Sequence, residues 1–204
     1  MNLNNLPFNW FDLAILVVLF IGLRSGRKRG MSEELPGLLK WLAIILGCGL
    51  AYQPVGLMIT GSSSVFSELD AYLIAYTGTA LVIAAVFAAL KSALGEKWVS
   101  SEVFGRSEFY LGMISGGIRF SCMLLAVLAL INARSYNTAE IKASYKFQKD
   151  NYGSDFFPTF QSLQAQIFEK SRLGPCIRDD LGFLLIKPTR PEKKEIKRKE
   201  IALP

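Results

Sequence analysis

The chain contains no histidine among its 204 residues. This absence excludes catalytic triads built on histidine, histidine proton shuttles and most zinc sites. Cysteine is also scarce, and Cys48, Cys122 and Cys176 are too far apart in the sequence to indicate a disulfide framework or a Cys-x-x-Cys metal site. Gly-x-Ser-x-Gly and Walker A patterns are missing as well. We therefore expect a protein that is not an enzyme and that binds no metal or cofactor.

Charged residues are rare inside the long apolar blocks and concentrate in the connections and the C-terminal tail. The chain is 51% apolar, and its mean hydropathy is +0.30. This profile is typical of an integral membrane protein. The net charge of +6 does not indicate a nucleic-acid partner, because the basic residues stand beside apolar blocks or near the C-terminus. The expected partner is the lipid bilayer.

Four apolar blocks have the length, or nearly the length, of the roughly 20 helical residues that cross a hydrocarbon core. Pro54 is expected to end the second span, and Ser32 is expected to cap the start of its helix. The segment Arg24 to Gly30 is expected to form a basic turn, and Gly56 to Leu69 a loop. The predicted spans are residues 8–23, 37–52, 71–90 and 109–133.

The sequence thus predicts an all-α integral membrane protein with a four-transmembrane-helix bundle and a C-terminal extramembrane tail. The bundle occupies residues 1–134, the tail 135–187, and a charged, disordered C-terminus 188–204. Within the tail, residues 159–168 have helical apolar spacing and predict a short amphipathic helix. This helix would lie on the membrane surface, dock on the bundle or pack as an ordinary helix on its own tail.

The distribution of basic residues predicts the orientation of the bundle. The connections that follow the first and third spans carry lysine and arginine, whereas Gly56 to Leu69 carries neither. The positive-inside rule then places the basic connections in the cytoplasm and both termini outside it. The basic C-terminal tail lies too far from the last span to count in this rule.

Asp12 and Arg119 are the charged residues of the apolar blocks that could have a functional role. Asp12, near the start of the first span, is either a solvated or capping residue or an intramembrane charge that faces the bundle interior. Arg119 lies near the middle of the fourth span and requires a polar partner or water. Helix rise puts Asp12 and Arg119 about 10 Å apart in depth. Tyr76 and Thr79 of the third span come closer to its level and are the preferred partners.

The fourth span also carries Gly112-x-x-x-Gly116, a spacing that allows two helix backbones to approach closely. Close packing within the bundle is the favoured interpretation. Self-association of two chains, and hence a homo-oligomer, is the alternative.

Two motifs of this chain resemble those of the colicin V production protein family. The first is Trp10-x-Asp12 followed by Arg29-Gly30 and Glu34. The second is Leu111-Gly112-x-x-x-Gly116-x-x-Arg119 in the fourth helix. Residues 154–158 resemble the family's short segment that ends in proline, and the whole resemblance covers about residues 8–168.

The chain departs from the family pattern at two places. Phe120 stands where glycine often follows the arginine and would fill space beside it. Glu108-Phe109 stands where an Asp-Arg pair is common before the helix, which puts a role for that pair in doubt.

The resemblance implies a four-helix protein of the bacterial inner membrane, linked to colicin V production or export and to envelope integrity. Related four-helix regions also occur fused to an extracytoplasmic serine protease, which favours an external C-terminus. We expect a non-enzymatic protein that contacts other membrane proteins. The alternative is a small transporter or channel in which Arg119 and Asp12 line a polar path.

Overall fold

The computed structural model describes residues 9–62, 65–94, 105–153 and 159–190. These ranges are helical and contain no β-strand, although an isolated parallel bridge joins Arg134 to Thr189. The predicted all-α class is therefore confirmed. The helices are α1 (Trp10–Ser62), α2 (Glu68–Leu94), α3 (Glu108–Asn132), α4 (Thr138–Tyr152), α5 (Phe160–Phe168) and α6 (Leu173–Asp180), with short 3-10 turns at Gly105–Ser107 and Gly182–Leu184.

Three of these helices, α1, α2 and α3, are long and apolar enough to cross a membrane. Their outward surfaces carry large exposed apolar side chains, such as Leu81 and Val82 of α2, which are 71% and 63% exposed. Aqueous solvent disfavours contiguous apolar surface of this kind, whereas lipid accepts it. Three helices of this kind are those of a multi-pass membrane protein.

The 53-residue helix α1 is broken at Gly30, whose backbone angles are φ 78° and ψ 170°. These angles lie outside the helical region and in a part of the map that glycine alone enters readily. An unbroken helix of this length would extend about 80 Å. Instead, Phe11 and Tyr52 belong to the same buried apolar cluster. The chain therefore reverses at Gly30 into a first arm, residues 10–29, and a second arm, residues 31–62.

The first arm runs antiparallel to α3, because its glycines meet those of α3 in reverse order. Gly22 lies against Gly116, and Gly26 against Gly112. The second arm runs antiparallel to α2, with the Tyr52 and Tyr72 ring centroids 5.6 Å apart. The expected four helical segments are present as two arms and two helices, and whether each crosses the bilayer separately stays a prediction.

The predicted end of the second span at Pro54 is wrong. The helix continues through Pro54 to Ser62, so most of the expected loop is helical. Proline removes one backbone hydrogen bond, yet the helix continues, and Tyr52 and Gly56 on either side of it pack against the ring of Tyr72.

The predicted basic turn is also wrong, since the first arm stays helical through Arg29 and the chain reverses at Gly30 alone. Ser32 lies inside the second arm and is not its cap. The arm begins at residue 31, directly after the break and close to the predicted helix start at Ser32.

The tail folds onto the end of the bundle at which α1 begins. Helix α5 starts at Thr159, whose hydroxyl accepts a hydrogen bond from the backbone N–H of Ser162 at 3.2 Å. Ile167 and Phe168 of α5 are buried in the main core cluster, whereas Phe160 is exposed. The end of α5 therefore docks on the bundle core, and whether the helix also lies on the membrane surface stays a prediction.

Two tail helices, α4 and α6, were not predicted. The segment after α6 is also more ordered than expected. Leu185 and Ile186 are fully buried, and the side-chain amide of Asn132 donates to the carbonyl of Ile186 at 3.0 Å. The backbone N–H of Thr189 donates to Ala133 at 2.8 Å. The expected disorder from residue 188 is therefore wrong for residues 188–190, and residues 191–204 lie outside the described ranges, as do the family-like residues 154–158.

Candidate functional site: a buried ion pair beside a glycine crossing

The first arm and α3 cross with their backbones almost in contact. A Cβ atom built on Gly22, Gly26, Gly112 or Gly116 would overlap backbone atoms of the opposite helix at less than 3 Å. Real Cβ atoms do not tolerate such distances, so all four positions require glycine. The predicted close packing of Gly112 and Gly116 within the bundle is confirmed, and the described chain supplies the partner helix itself.

The break at Gly30 lies directly beyond this crossing, opposite the first turn of α3. A Cβ on Gly30 would lie 2.8 Å from the Oε1 atom of Glu108. The same oxygen accepts a hydrogen bond from the backbone N–H of Ser32 at 2.8 Å. Glu108 thus binds the start of the second arm and helps to fix the reversal, since the first N–H groups of a helix have no partner within it.

Glu34 and Arg119 form an ion pair in the interior. The Nη1 atom of Arg119 lies 2.7 Å from the Oε2 atom of Glu34, and the two side chains are 11% and 0% exposed. A second cation, Arg29, places its Nη1 atom 3.8 Å from Oε1 of the same carboxylate. One buried carboxylate is therefore shared by one buried and one half-exposed guanidinium.

The guanidinium of Arg119 occupies a space that neighbouring residues leave open. A Cβ on Gly37 would lie 3.2 Å from the Nη1 atom of Arg119, so a larger residue there would crowd the pair. The ring centroid of Phe120 lies 5.1 Å from the guanidinium carbon, within the range of a cation–π contact. The expectation that Phe120 fills space beside the arginine is met by this contact.

The predicted partners of Arg119 are wrong. It pairs with neither Asp12 nor the hydroxyls of Tyr76 and Thr79. The prediction placed Glu34 in the first turn of the second helix but outside the membrane span, which began at Gly37, so Glu34 was not considered as a partner. The second arm begins at residue 31, and an arginine on a helix leans toward the helix N-terminus. That direction carries the Arg119 guanidinium toward the Gly30 end, where Glu34 lies.

Asp12 lies at the other end of the bundle, about 27 Å along the first arm from Gly30 at helical rise. Its side chain is almost wholly buried and accepts hydrogen bonds from the backbone N–H groups of Asn9 at 3.0 Å and of Arg172 and Leu173 at 3.2 Å. It therefore caps its own helix, which was one of the two alternatives, and also binds the N-terminus of α6, where a negative charge is favourable. That second role was not predicted.

Seven residues were candidates for the site, and six of them lie together at the glycine crossing and the ion pair: Arg29, Gly30, Glu34, Gly112, Gly116 and Arg119. The seventh, Asp12, lies apart from them. Sequence reasoning missed Gly22, Gly26, Gly37 and Glu108. A signal for the first two was present, because Gly22, Gly26 and Gly30 repeat the four-residue spacing of Gly112 and Gly116. Glu108 was noted only as a departure from the family's Asp-Arg pair, and its contact with the Ser32 N–H shows a role that the departure had put in doubt. Within the described ranges, no cluster of histidine, cysteine or acidic side chains could hold a metal ion.

The family model described as colicin V production protein matches residues 11–164. The chain belongs to the colicin V production protein family. The match covers about three quarters of the chain and includes the glycine crossing, the ion pair and Asp12. Neither the search of curated proteins nor the search of solved structures gave a match. Membership in the family connects this multi-pass membrane protein with bacteriocin production.

Proposed function

We propose that this colicin V family protein is a non-enzymatic inner-membrane protein that supports the production or export of a peptide toxin and the integrity of the envelope. It acts by contacting other membrane proteins. The observation that carries the proposal is the ion pair in the protein interior. The buried Glu34 carboxylate pairs with Arg119 of the same chain, and this pairing closes the polar interior.

A charge placed within a membrane helix requires a partner, and here the protein supplies it. The two residues join the second arm to α3, and the glycine crossing joins α3 to the first arm. This arrangement is suited to holding three helical segments in one fixed relation. The large apolar surface of α2 then remains for lipid or for a neighbouring protein. Only 11% of the most apolar 18-residue stretch of this helix is buried within the chain.

The two arms of α1 serve as separate spans in this proposal, so the bundle crosses the membrane four times. The basic connections face the cytoplasm, and both termini lie outside it. The docking of the tail beside residue 12 supports a common side for the tail and the N-terminus. Labelling of single cysteines at Ser63 and Thr189 tests this topology. Labelling from the cytoplasmic side at Thr189 would contradict it.

A small transporter or channel with Arg119 on a polar path is the second candidate. One observation favours it: the Nε atom of Arg119 is buried and makes no hydrogen bond to any described residue, and neither carboxylate oxygen of Glu34 makes a well-aligned one. Buried polar groups are normally satisfied, and water in a polar path would satisfy these.

Substitution of Arg119 by alanine distinguishes the two candidates. A structural anchor predicts loss of the protein from the membrane, together with loss of toxin export and of resistance to envelope stress. A path predicts normal abundance with altered solute flux. Glu140→Ala is the control, since Glu140 forms an exposed ion pair with Arg134 at 4.0 Å.

Cross-linking in intact membranes tests the proposed contacts with other proteins. A photoreactive residue at Val82 on the exposed face of α2 is expected to capture a distinct membrane protein in cells that produce the toxin. A probe at the exposed Lys146 of α4 serves as the comparison. Capture of nothing but lipid at Val82 would contradict a role through contacts on that face.

A further inference from the structure

Three cations on the last turns of the first arm have no counter-charge in the described chain. Arg24, Arg27 and Lys28 are exposed and make no ion pair or side-chain hydrogen bond with any described residue. Their spacing places them on one face of the helix. Three like charges on one helical face repel each other, so their clustering costs free energy that an anionic ligand would recover.

These cations share a cavity of about 540 Å³ with the first two turns of α3, which contribute Phe109, Tyr110 and Met113. Phe109 and Tyr110 are 57% and 73% exposed. Exposed aromatic rings at the end of an apolar helix are typical of the membrane–water interface. The cavity therefore lies at the level of lipid headgroups.

The nearby charged groups are directed elsewhere. Glu108 precedes the two aromatic residues, but its Oε1 atom is bound to the backbone of Ser32 at the chain reversal. Arg29 extends toward Glu34. The cavity thus has three cations of its own and receives no carboxylate from the residues that line it.

The same face of the first arm becomes apolar one turn further into the membrane. Phe20 lies four residues before Arg24, so the two side chains follow one another on one face. Leu16, Val17 and Phe20 are 58%, 50% and 65% exposed and line a shallow apolar groove. A molecule that bridges both regions needs an anionic head and an apolar tail.

We propose that this cavity binds the phosphate headgroup of an anionic phospholipid, whose acyl chains lie along Leu16, Val17 and Phe20. Basic pockets between membrane helices bind such headgroups through charge and hydrogen bonds. The apolar groove beneath the cations selects a lipid over a free phosphate ion. This site depends on insertion of the bundle in a bilayer and is independent of the role proposed in toxin export.

Retention of lipid by the purified full-length protein tests the site. The protein is reconstituted in equal parts of phosphatidylcholine and phosphatidylglycerol, extracted in detergent, and its bound lipids are counted by native mass spectrometry. The wild type is expected to retain phosphatidylglycerol selectively. The triple variant Arg24→Gln/Arg27→Gln/Lys28→Gln is expected to lose this preference by about tenfold or more. Lys142→Gln/Lys146→Gln/Lys149→Gln removes the same charge from the exposed surface of α4 and should retain the preference.

Equal retention by the wild type and the first triple variant would overturn the proposal, and so would equal loss in both triple variants. Displacement of bound phosphatidylglycerol by millimolar inorganic phosphate would show that the site recognises the ion and not the lipid. Phe20→Ser supplies a further check, because it should weaken lipid retention without changing any charge. The triple variant is expected to fold normally, and circular dichroism verifies this.

Discussion

The two ends of the bundle are held together by different kinds of interaction. At the Gly30 end, helices touch backbone to backbone, and a single buried ion pair joins the second arm to α3. At the opposite end, the tail supplies large apolar side chains and backbone hydrogen bonds to Asp12 and Tyr52. The first end tolerates almost no added atoms, whereas the second depends on a separate segment that can detach. We expect substitutions at the first end to unfold the bundle and those at the second to release the tail.

Breaking the ion pair should have the largest effect. Glu34→Ala leaves a buried guanidinium without its nearest carboxylate, and loss of one member of a buried pair costs about 3–5 kcal/mol. Thermal unfolding in detergent, followed by circular dichroism, measures this loss. Glu140→Ala, at the exposed pair with Arg134, should cost less than about 1 kcal/mol.

The double variant Glu34→Leu/Arg119→Leu sharpens this result. It removes both charges and should cost clearly less than the sum of the two single substitutions. Additive losses would show that the two side chains do not act as a pair.

The glycine crossing should give the next largest effect. Gly26→Ala inserts a methyl group into the carbonyl of Gly112, which belongs to a helix backbone and cannot rotate away. We expect a loss of about 3 kcal/mol. Gly78→Ala is the matched control, because a Cβ at Gly78 of α2 meets nothing within 4 Å. There the gain in helix propensity should stabilise slightly. Equal effects at the two glycines would argue against the close crossing.

Asp12→Ala should act on the tail and leave the crossing intact. The backbone N–H groups of Arg172 and Leu173 lose a charged acceptor, which is worth about 1.5 kcal/mol. Hydrogen exchange at these two amides should accelerate about tenfold, while exchange in the first arm beyond its first turn stays unchanged. Asp150→Asn, on the exposed surface of α4, provides the reference. Unfolding of the whole bundle by Asp12→Ala would remove the distinction between the two ends.

The smallest effect is expected at Glu108. Glu108→Gln retains an oxygen that accepts from the N–H of Ser32 but removes the charge, which should cost about 0.5 kcal/mol. The melting temperature should fall by a few degrees at most. A loss as large as that of Glu34→Ala would show that the Glu108 charge itself stabilises the chain reversal.

The helices could be predicted from the sequence because the bilayer demands long apolar blocks, and those blocks are visible in residues 71–90 and 109–133. The family motif also singled out Gly30 and Glu34. Their structural relation could not be predicted. The chain reverses where Gly30 adopts non-helical φ and ψ angles, and composition does not determine these angles. A basic segment before Gly30 suggested a turn, yet lysine and arginine are good helix formers and the helix continues through them.

The tail was harder to predict for a different reason. Asp12 and the start of α6 are 160 residues apart, and no local pattern connects a carboxylate to a backbone amide at that separation. The helix α4 is polar on average, so no apolar block of the kind that marks a membrane span draws attention to it. The pair Glu34–Arg119 was not predicted, because the predicted second span began only at Gly37, which left Glu34 outside the membrane while Arg119 lay near the middle of the fourth span.

The docking of α6 on Asp12 has a consequence for biosynthesis. The ribosome adds about 5–20 residues per second, so Asp12 leaves it on the order of ten seconds before Arg172 and Leu173 are made. During this interval the first arm is in place without the backbone groups that its carboxylate will bind. A segment that is synthesised late completes the environment of the first arm, and the tail must reach the same side of the membrane as the N-terminus before the bundle is finished.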